Sequence, residues 1–298
     1  MIFRKIKNFC IYWQLFFNFV SYIYFLMKNY YQAPLPFRGQ KRTFIKDFKE
    51  VLTKAPADAI YIDLFGGSGL LSHNIKQLKP KARVIYNDFD NYTERLENIP
   101  KTNKLIADLR EITSEIPYKK RLIGNVKQRV YERIEQEKGF IDWVTLSANI
   151  LFSGRYMRSK EHFNKETLFN RVVSKPYDAK GYLDGVEVVH KCYKEVIDEF
   201  KGMENVILVC DPPYLSTENK GYASGEYWKI SDYLDILKGL EGRKYIYFTS
   251  NKSNIEELLK WVENHYGVET IFSKATTYSR ENKINYNSLY EDRMICNI

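Results

Sequence analysis

Four consecutive residues, Asp211-Pro-Pro-Tyr214, carry the clearest chemical signal in the chain. They follow the apolar run at 206–210, and the ends of parallel strands are where α/β sheets build their sites. Pro212 and Pro213 fix the backbone, so a carboxylate and a peptide carbonyl can point at one spot. Two such acceptors favour attack by a weakly nucleophilic adenine amine on a methylsulfonium, and the tyrosine ring offers a face to a flipped base. The alternative is an ordinary Pro-Pro turn with a solvent-facing Asp and a packed Tyr.

A second signal is the turn Gly66-Gly67-Ser-Gly69, which follows a predicted strand at 59–65. Glycines let a ligand approach the backbone closely. Asp88 comes about 20 residues later, at the end of the next predicted strand, where an acidic residue can bind a ribose diol. The turn lacks the G-x-G-x-x-G spacing, which argues against an NAD site. A dinucleotide site of another kind or a tight turn without a ligand are the alternatives.

A shorter segment, residues 36–41, places an aromatic ring, a glycine and a cation in a turn ahead of the first predicted strand. It reads Pro-Phe-Arg-Gly-Gln-Lys and is uninformative alone. In this order, however, the turn, the Gly-rich loop and Asp-Pro-Pro-Tyr resemble the Dam-like family of DNA adenine N6-methyltransferases. The resemblance spans roughly Tyr30 to the C-terminus, and Asp-Pro-Pro-Tyr is its most specific part.

The resemblance implies S-adenosylmethionine as the cofactor and gives roles to individual residues. Contacts with the cofactor are implied for Phe37, Gly39, Lys41, Asp63, Phe65, Gly66, Gly67, Gly69, Asp88 and Tyr193. In this set, Asp63 and the glycine turn surround the amino-acid end of the cofactor, and Asp88 binds its ribose. Catalysis is implied for Asp211, Pro212, Pro213 and Tyr214.

One position departs from the family pattern. Members usually carry an acidic residue followed by an aromatic one before the catalytic strand, and Cys192 and Tyr193 occupy these positions here. A thiol accepts hydrogen bonds poorly. The departure predicts that contact with the cofactor's adenine is weaker at this point, or that the backbone provides it.

The positive charge of the chain is concentrated in its middle. The formal net charge is +9, and residues 101–180 hold 17 Lys and Arg residues against 10 Asp and Glu residues. Such a patch fits a polyanion, although a basic surface is often only solubilising. We expect contacts with double-stranded DNA from Phe152, Arg155, Tyr156 and Arg158, the alternative being that they are surface or packing residues.

The order of the predicted elements indicates an α/β protein with an inserted, mainly helical lobe, and the resemblance implies that its sheet is a Rossmann-like, S-adenosylmethionine-dependent methyltransferase sheet. The strands and helix over 59–88 form a βαβ unit, which predicts a parallel sheet. Residues 94–185 lose this rhythm and form the predicted target-recognition insert, with helices around 119–138 and 140–152. Residues 30–93 and 186–298 form the predicted catalytic domain, with a helix over 186–200 and a C-terminal edge hairpin.

The first 29 residues form an apolar leader with a basic start. Its apolar run is about 16 residues long, shorter than the roughly 20 that a membrane-spanning helix needs. Translation from Met27, which would make residues 1–26 non-native, is the favoured interpretation. A helix packed on the protein or a partner and a membrane anchor are the alternatives.

The cysteines and histidines indicate neither a disulfide framework nor a metal site. The four cysteines contain no C-x-x-C pair, and the four histidines show no H-E-x-x-H spacing. We therefore expect no metal, and reduced thiols in a cytoplasm.

Three functions are compatible with these patterns. The favoured one is a DNA adenine methyltransferase, whose partners are double-stranded DNA and, where it belongs to a restriction-modification pair, a cognate restriction endonuclease. The second is a methyltransferase of another amine, such as RNA adenine or a protein glutamine. The third is a DNA-binding relative without turnover, an interpretation that rests on Cys192 alone.

Overall fold

A mixed β-sheet organises the chain. The computed structural model describes residues 29–152, 155–157, 159–163, 166–213, 228–251, 253–285 and 288–298. The strands are β1 (Ile60–Asp63), β2 (Arg83–Asn87), β3 (Glu187–Val189), β4 (Val206–Cys210), β5 (Lys244–Ser250), β6 (Thr276–Asn285) and β7 (Ser288–Asn297). They form a seven-stranded sheet in the order β3-β2-β1-β4-β5-β7-β6. The first five strands are parallel, and β7 pairs antiparallel with both β5 and β6.

Helices cover both faces of this sheet. They are α1 (Ile45–Lys54), α2 (Leu70–Leu78), α3 (Tyr92–Glu97), α4 (Ile99–Ile112), α5 (Gly124–Glu135), α6 (Trp143–Ile150), α7 (Lys160–Phe163), α8 (Tyr193–Glu199), α9 (Ile230–Leu240) and α10 (Ile255–Tyr266). On β4, Ile207 and Val209 pack with α1 and α2, whereas Leu208 and Cys210 pack with α8 and α9. A continuous apolar strand of this kind is typical of a parallel sheet covered on both faces.

The segment between β2 and β3 builds a second, helical core. Twelve buried residues from this segment pack together: Leu105, Ile106, Leu109, Leu122, Val130, Ile134, Leu146, Ile150, Leu151, Met157, Phe163 and Leu168. They come chiefly from α4, α5 and α6 and from the chain that follows. The helices thus bury apolar faces against one another rather than against the sheet, which is what a separate lobe requires.

A buried ion pair joins this lobe to the turn at residues 36–41 of the sheet domain. The Arg95 Nε lies 3.0 Å from the Asp142 carboxylate, and Arg95 Nη2 donates to the Pro36 carbonyl at 2.7 Å. Asp142 also caps α6, because its carboxylate accepts from the Thr145 amide at 3.0 Å. One guanidinium therefore holds α3, the start of α6 and the 36–41 turn together.

The predicted βαβ unit is confirmed, and one predicted helix is wrong. The chain forms β1, the glycine turn, α2 and β2 as expected. The helix expected over 186–200 is instead the edge strand β3 followed by α8, because Val188 and Val189 pair with β2 and helix begins only at Tyr193. In the C-terminal hairpin, β6 lies at the sheet edge and β7 lies inside it. Within the described residues, no helix has both the length and the apolarity to cross a bilayer, and the leader lies outside them.

Candidate active site

A cavity of about 240 Å³ opens at the carboxyl ends of the parallel strands. Its walls come from the 36–41 turn, from the ends of β1, β2 and β4 and the turns after them, and from the starts of α8 and α9 with the residues just before them. The lining residues are Phe37, Arg38, Gly39, Leu64, Phe65, Gly66, Gly67, Asn87, Phe89, Asp90, Cys192, Tyr193, Asp211, Pro213, Trp228 and Asp232. Residues from distant parts of the sequence converge there because the carboxyl ends of parallel strands meet at one sheet edge.

The glycine turn is shaped by close contacts that exclude side chains. Gly67 has φ 50° and packs under the Phe37 ring, where an added Cβ would lie 3.1 Å from that ring. A Cβ at Gly66 would lie 2.1 Å from the Tyr86 ring. Gly69 has φ 71° and begins α2. The turn therefore needs glycine both for its backbone conformation and for space.

Asp63 ends β1 beneath this turn and is completely buried. Ser72 Oγ donates to one carboxylate oxygen at 2.7 Å, and the other oxygen, Oδ1, has no hydrogen-bond partner. Burial raises the pKa of Asp63 to about 7. A buried carboxylate oxygen without a partner is costly in the folded protein, and a cationic or hydrogen-bonding group would satisfy it. Like Asp88, Asp63 is not among the residues that line the cavity.

Asp88 occupies a structural position rather than the wall of the cavity. Its carboxylate accepts hydrogen bonds from the Tyr86 hydroxyl at 3.0 Å, the Tyr92 amide at 2.7 Å and the Thr93 amide at 2.8 Å. These bonds fix the start of α3 and leave the side chain fully buried. The neighbouring Asp90 lines the cavity. The ribose role expected for Asp88 stays a prediction, and this packing does not favour it.

Asp211 and Lys41 form the main electrostatic feature of the site. The Lys41 Nζ lies 2.5 Å from an Asp211 carboxylate oxygen and donates to the Gly39 carbonyl at 2.9 Å. Burial raises the pKa of Asp211, and the Lys41 ammonium acts in the opposite direction. Lys41 does not line the cavity, whereas Asp211 does. The ammonium thus favours the ionised form of a carboxylate that faces the cavity.

The Pro-Pro turn after Asp211 is held by a residue that sequence reasoning missed. Tyr233, buried on α9, donates a hydrogen bond from its hydroxyl to the Pro213 carbonyl. Nothing in the sequence near the turn signals this contact, because 20 residues separate the two partners. Tyr214 itself lies outside the described residues.

Three aromatic rings form one end of the cavity. Tyr193 and Trp228 stack with centroids 5.3 Å apart and an interplanar angle of 26°. Phe65 lies 5.4 Å from Tyr193 and 5.5 Å from Trp228. Phe65 and Tyr193 were expected in a cofactor site, but Trp228 was not. These flat apolar faces suit a planar ring.

Three of the four residues expected to contact DNA, Phe152, Arg155 and Tyr156, lie on the helical lobe and do not line the cavity. Phe152 is 62% exposed and Tyr156 is 40% exposed. Arg155 is exposed and pairs with Glu166 at 3.1 Å. Arg158 lies outside the described residues. Their contacts with DNA stay predictions. Among the residues that the structure describes, no group of three or more His, Cys, Asp or Glu side chains could hold a metal ion.

Comparison with known proteins identifies the family to which this architecture belongs. The model of the D12 class N6 adenine-specific DNA methyltransferase family matches residues 37–280. A protein of Haemophilus influenzae (strain ATCC 51907 / DSM 11121 / KW20 / Rd) named "Putative methyltransferase" is 36% identical over 278 residues, covering 90% of this chain and 93% of that protein. The match extends over both the sheet domain and the helical lobe, and it confirms the resemblance drawn from the three sequence segments. The α/β sheet is consistent with a Rossmann-like methyltransferase fold, and the chain belongs to the D12 class N6 adenine-specific DNA methyltransferase family.

Proposed function

We propose that this protein transfers a methyl group from S-adenosylmethionine to N6 of an adenine flipped out of double-stranded DNA. The observation that carries the proposal is the position of Asp211, which faces the cavity at the end of β4 and is paired with the buried Lys41. Family membership supports the reaction class. The remaining residues of the cavity support the assignment of the two ligands.

The donor set of the cavity fits the proposed cofactor. Gly66 and Gly67 line the cavity and give a ligand access to the backbone. The unpartnered Asp63 oxygen lies beneath this turn, behind the cavity wall, and suits the ammonium of an amino-acid moiety that reaches it. Phe65, Tyr193 and Trp228 suit a purine ring. Asp90, which lines the cavity two residues after Asp88, is our choice for the ribose hydroxyls.

The chemistry assigned to the chain centres on one carboxylate. When bound, S-adenosylmethionine supplies an electrophilic methyl group. The Asp211 carboxylate accepts a hydrogen bond from the exocyclic amine of the target, and the Pro212 carbonyl accepts the second. This withdraws the nitrogen lone pair from conjugation with the ring and directs it toward the methyl carbon. Lys41 favours the ionised form of Asp211, and Tyr233 fixes the turn, so the acceptors are arranged before the reaction begins.

The helical lobe is the proposed DNA-recognition element. It contains most of the excess positive charge, and Phe152, Arg155 and Tyr156 are exposed on it. We assign phosphate or base contacts to these residues and to Arg158, and stacking against the flipped base to Tyr214. A cognate restriction endonuclease would be a functional partner if the enzyme protects its own site. The free thiols of Cys192, Cys210 and Cys296 support a reducing compartment such as the cytoplasm.

Parallel methylation assays with three kinds of acceptor test the proposal. The protein is incubated with S-adenosylmethionine carrying a labelled methyl group and, in parallel, with double-stranded DNA, structured RNA or denatured protein. We expect label in DNA, recovered as N6-methyladenine after digestion to nucleosides. Label in RNA or in glutamine side chains would replace the DNA assignment, and binding to DNA without label in any acceptor would indicate a non-catalytic relative.

A further inference from the structure

The aromatic end of the cavity carries a carboxylate that no sequence motif singles out. Asp232 lies in the first turn of α9 and lines the cavity together with Tyr193 and Trp228. The Tyr193 hydroxyl donates to the Asp232 carbonyl at 3.3 Å, which places this residue at the edge of the stacked rings. A planar ligand stacked on these rings would therefore have a carboxylate near its edge.

Backbone contacts define which way the Asp232 side chain is held. Its Oδ2 accepts the Lys229 amide at 2.9 Å in a capping arrangement. Its Oδ1 lies 3.9 Å from the Lys194 Nζ, beyond hydrogen-bond distance, and the side chain is 31% exposed. One oxygen thus anchors the side chain, and the other can accept a hydrogen bond from a ligand.

Neighbouring polar groups are less suited to this role. The Cys192 thiol is a weak acceptor. The Asn87 amide nitrogen already donates to the Leu64 and Lys191 carbonyls at 3.1 and 2.9 Å, and its oxygen accepts the Lys191 amide at 3.0 Å. The Asp232 carboxylate therefore contributes the strong acceptor beside Tyr193.

We propose that Asp232 accepts a hydrogen bond from the exocyclic amine of the cofactor's adenine and selects adenine over purines that carry oxygen at the same position. The inference rests on the proposed use of S-adenosylmethionine. A site that is built to accept a hydrogen bond from a ligand discriminates strongly against a ligand that presents an acceptor instead. Asp232 would then be a specificity-determining residue for the methyl donor.

A reversal of purine preference provides the test. Binding of S-adenosylhomocysteine and of S-inosylhomocysteine, which carries oxygen in place of the amine, is measured by calorimetry for the wild type, Asp232→Asn and Asp235→Asn. In Asp232→Asn, the amide oxygen keeps the Lys229 contact and the amide nitrogen faces the cavity as a donor. We expect Asp232→Asn to bind S-adenosylhomocysteine about tenfold more weakly and to shift its preference toward the inosine analogue.

Asp235→Asn is the control variant, and each contrary outcome rejects a different part of the proposal. Asp235 pairs with Lys194 at 2.7 Å and does not line the cavity, so Asp235→Asn should keep the wild-type preference. Because the readout is the ratio of two affinities within one variant, partial unfolding does not alter it. An unchanged ratio in Asp232→Asn overturns this inference and leaves the proposed function standing. A wild type that binds neither compound overturns the proposed cofactor, and with it this inference.

Discussion

Lys41 favours the ionised form of Asp211, so replacing Lys41 tests stability and catalysis together. Its Nζ lies 2.5 Å from an Asp211 carboxylate oxygen, and both side chains are largely buried. At an effective dielectric constant of about 20, two unit charges this close attract by about 7 kcal/mol, much of which offsets their desolvation. Removing one partner of a buried pair costs about 3 to 5 kcal/mol. Asp211 keeps some contact with solvent, so we expect Lys41→Gln to lower the free energy of unfolding by about 3 kcal/mol.

The same substitution changes the pH dependence of methyl transfer. Burial raises the pKa of Asp211, and Lys41 counteracts this rise. Without the ammonium the pKa rises further, and the carboxyl group stays protonated to higher pH. A protonated group has lost the charge that makes it a strong acceptor, so the acidic limb of the rate profile should move toward alkaline pH. We expect the rate at neutral pH to fall about tenfold and to recover in part at alkaline pH.

Urea unfolding and single-turnover methyl transfer across the pH range measure these two effects. Lys46→Gln is the matched control, because Lys46 is an exposed lysine on α1. It should keep the wild-type unfolding free energy and pH profile. An unchanged unfolding free energy together with an unmoved acidic limb in Lys41→Gln would refute the assignment of Lys41 as the residue that controls Asp211.

Three further predictions concern Asp63, Cys192 and Arg95. Burial raises the pKa of Asp63 from 3.8 to about 7, so the folded protein binds a proton at Asp63 more tightly than the unfolded chain does. The free energy of unfolding should therefore fall by up to about 4 kcal/mol as the pH rises from 3.8 to about 7. Urea titrations of Asp63→Asn should show a flatter pH dependence; an equally steep one would exclude Asp63 as its origin. In a Cys10→Ser background, the exposed Cys192 should be the fastest thiol to react with a maleimide. S-adenosylhomocysteine should slow this labelling, because Cys192 lines the cavity. Equal labelling rates with and without the ligand would place the binding site elsewhere. Arg95→Met should lower the unfolding free energy by about 3 to 5 kcal/mol in the same titrations, because it leaves a buried carboxylate unpaired. The exposed pair of Arg83 supplies the control, since Arg83→Met should cost at most about 1 kcal/mol, and equal losses for the two variants would contradict the argument.

Local sequence signals were sufficient for the parts of the fold that neighbouring residues determine. The unit from β1 through the glycine turn to α2 follows from an apolar run, a break at Gly66 and Gly67, and an apolar periodicity that resumes at Leu70. The position of Asp211 after β4 follows in the same way from a continuous apolar strand. Each of these features is encoded within about ten residues, which is the range over which periodicity is informative.

Structural features that depend on contacts between residues far apart in the sequence could not be predicted from local sequence patterns. Val188 and Val189 form a strand only because β2 offers a free edge about 100 residues earlier, and this pairing outweighs the local helical pattern. The chain after β2 folds back so that the Asp88 carboxylate accepts the first two amides of α3, and no local pattern in the sequence signals these contacts. Tyr233 and Trp228 reach the site from α9 and from the residues just before it, and only the packing of α9 on the sheet brings them there.

The rate of methyl transfer by the Asp211→Asn variant tests the proposed chemistry most directly. This change keeps the shape of the side chain but replaces one acceptor oxygen with a donor. With an adenine-containing duplex and saturating S-adenosylmethionine, we expect the single-turnover rate to fall by about 100-fold or more, while cofactor affinity measured by calorimetry stays close to that of the wild type. Transfer at the wild-type rate by Asp211→Asn would contradict the assignment of Asp211 as the group that activates the target amine.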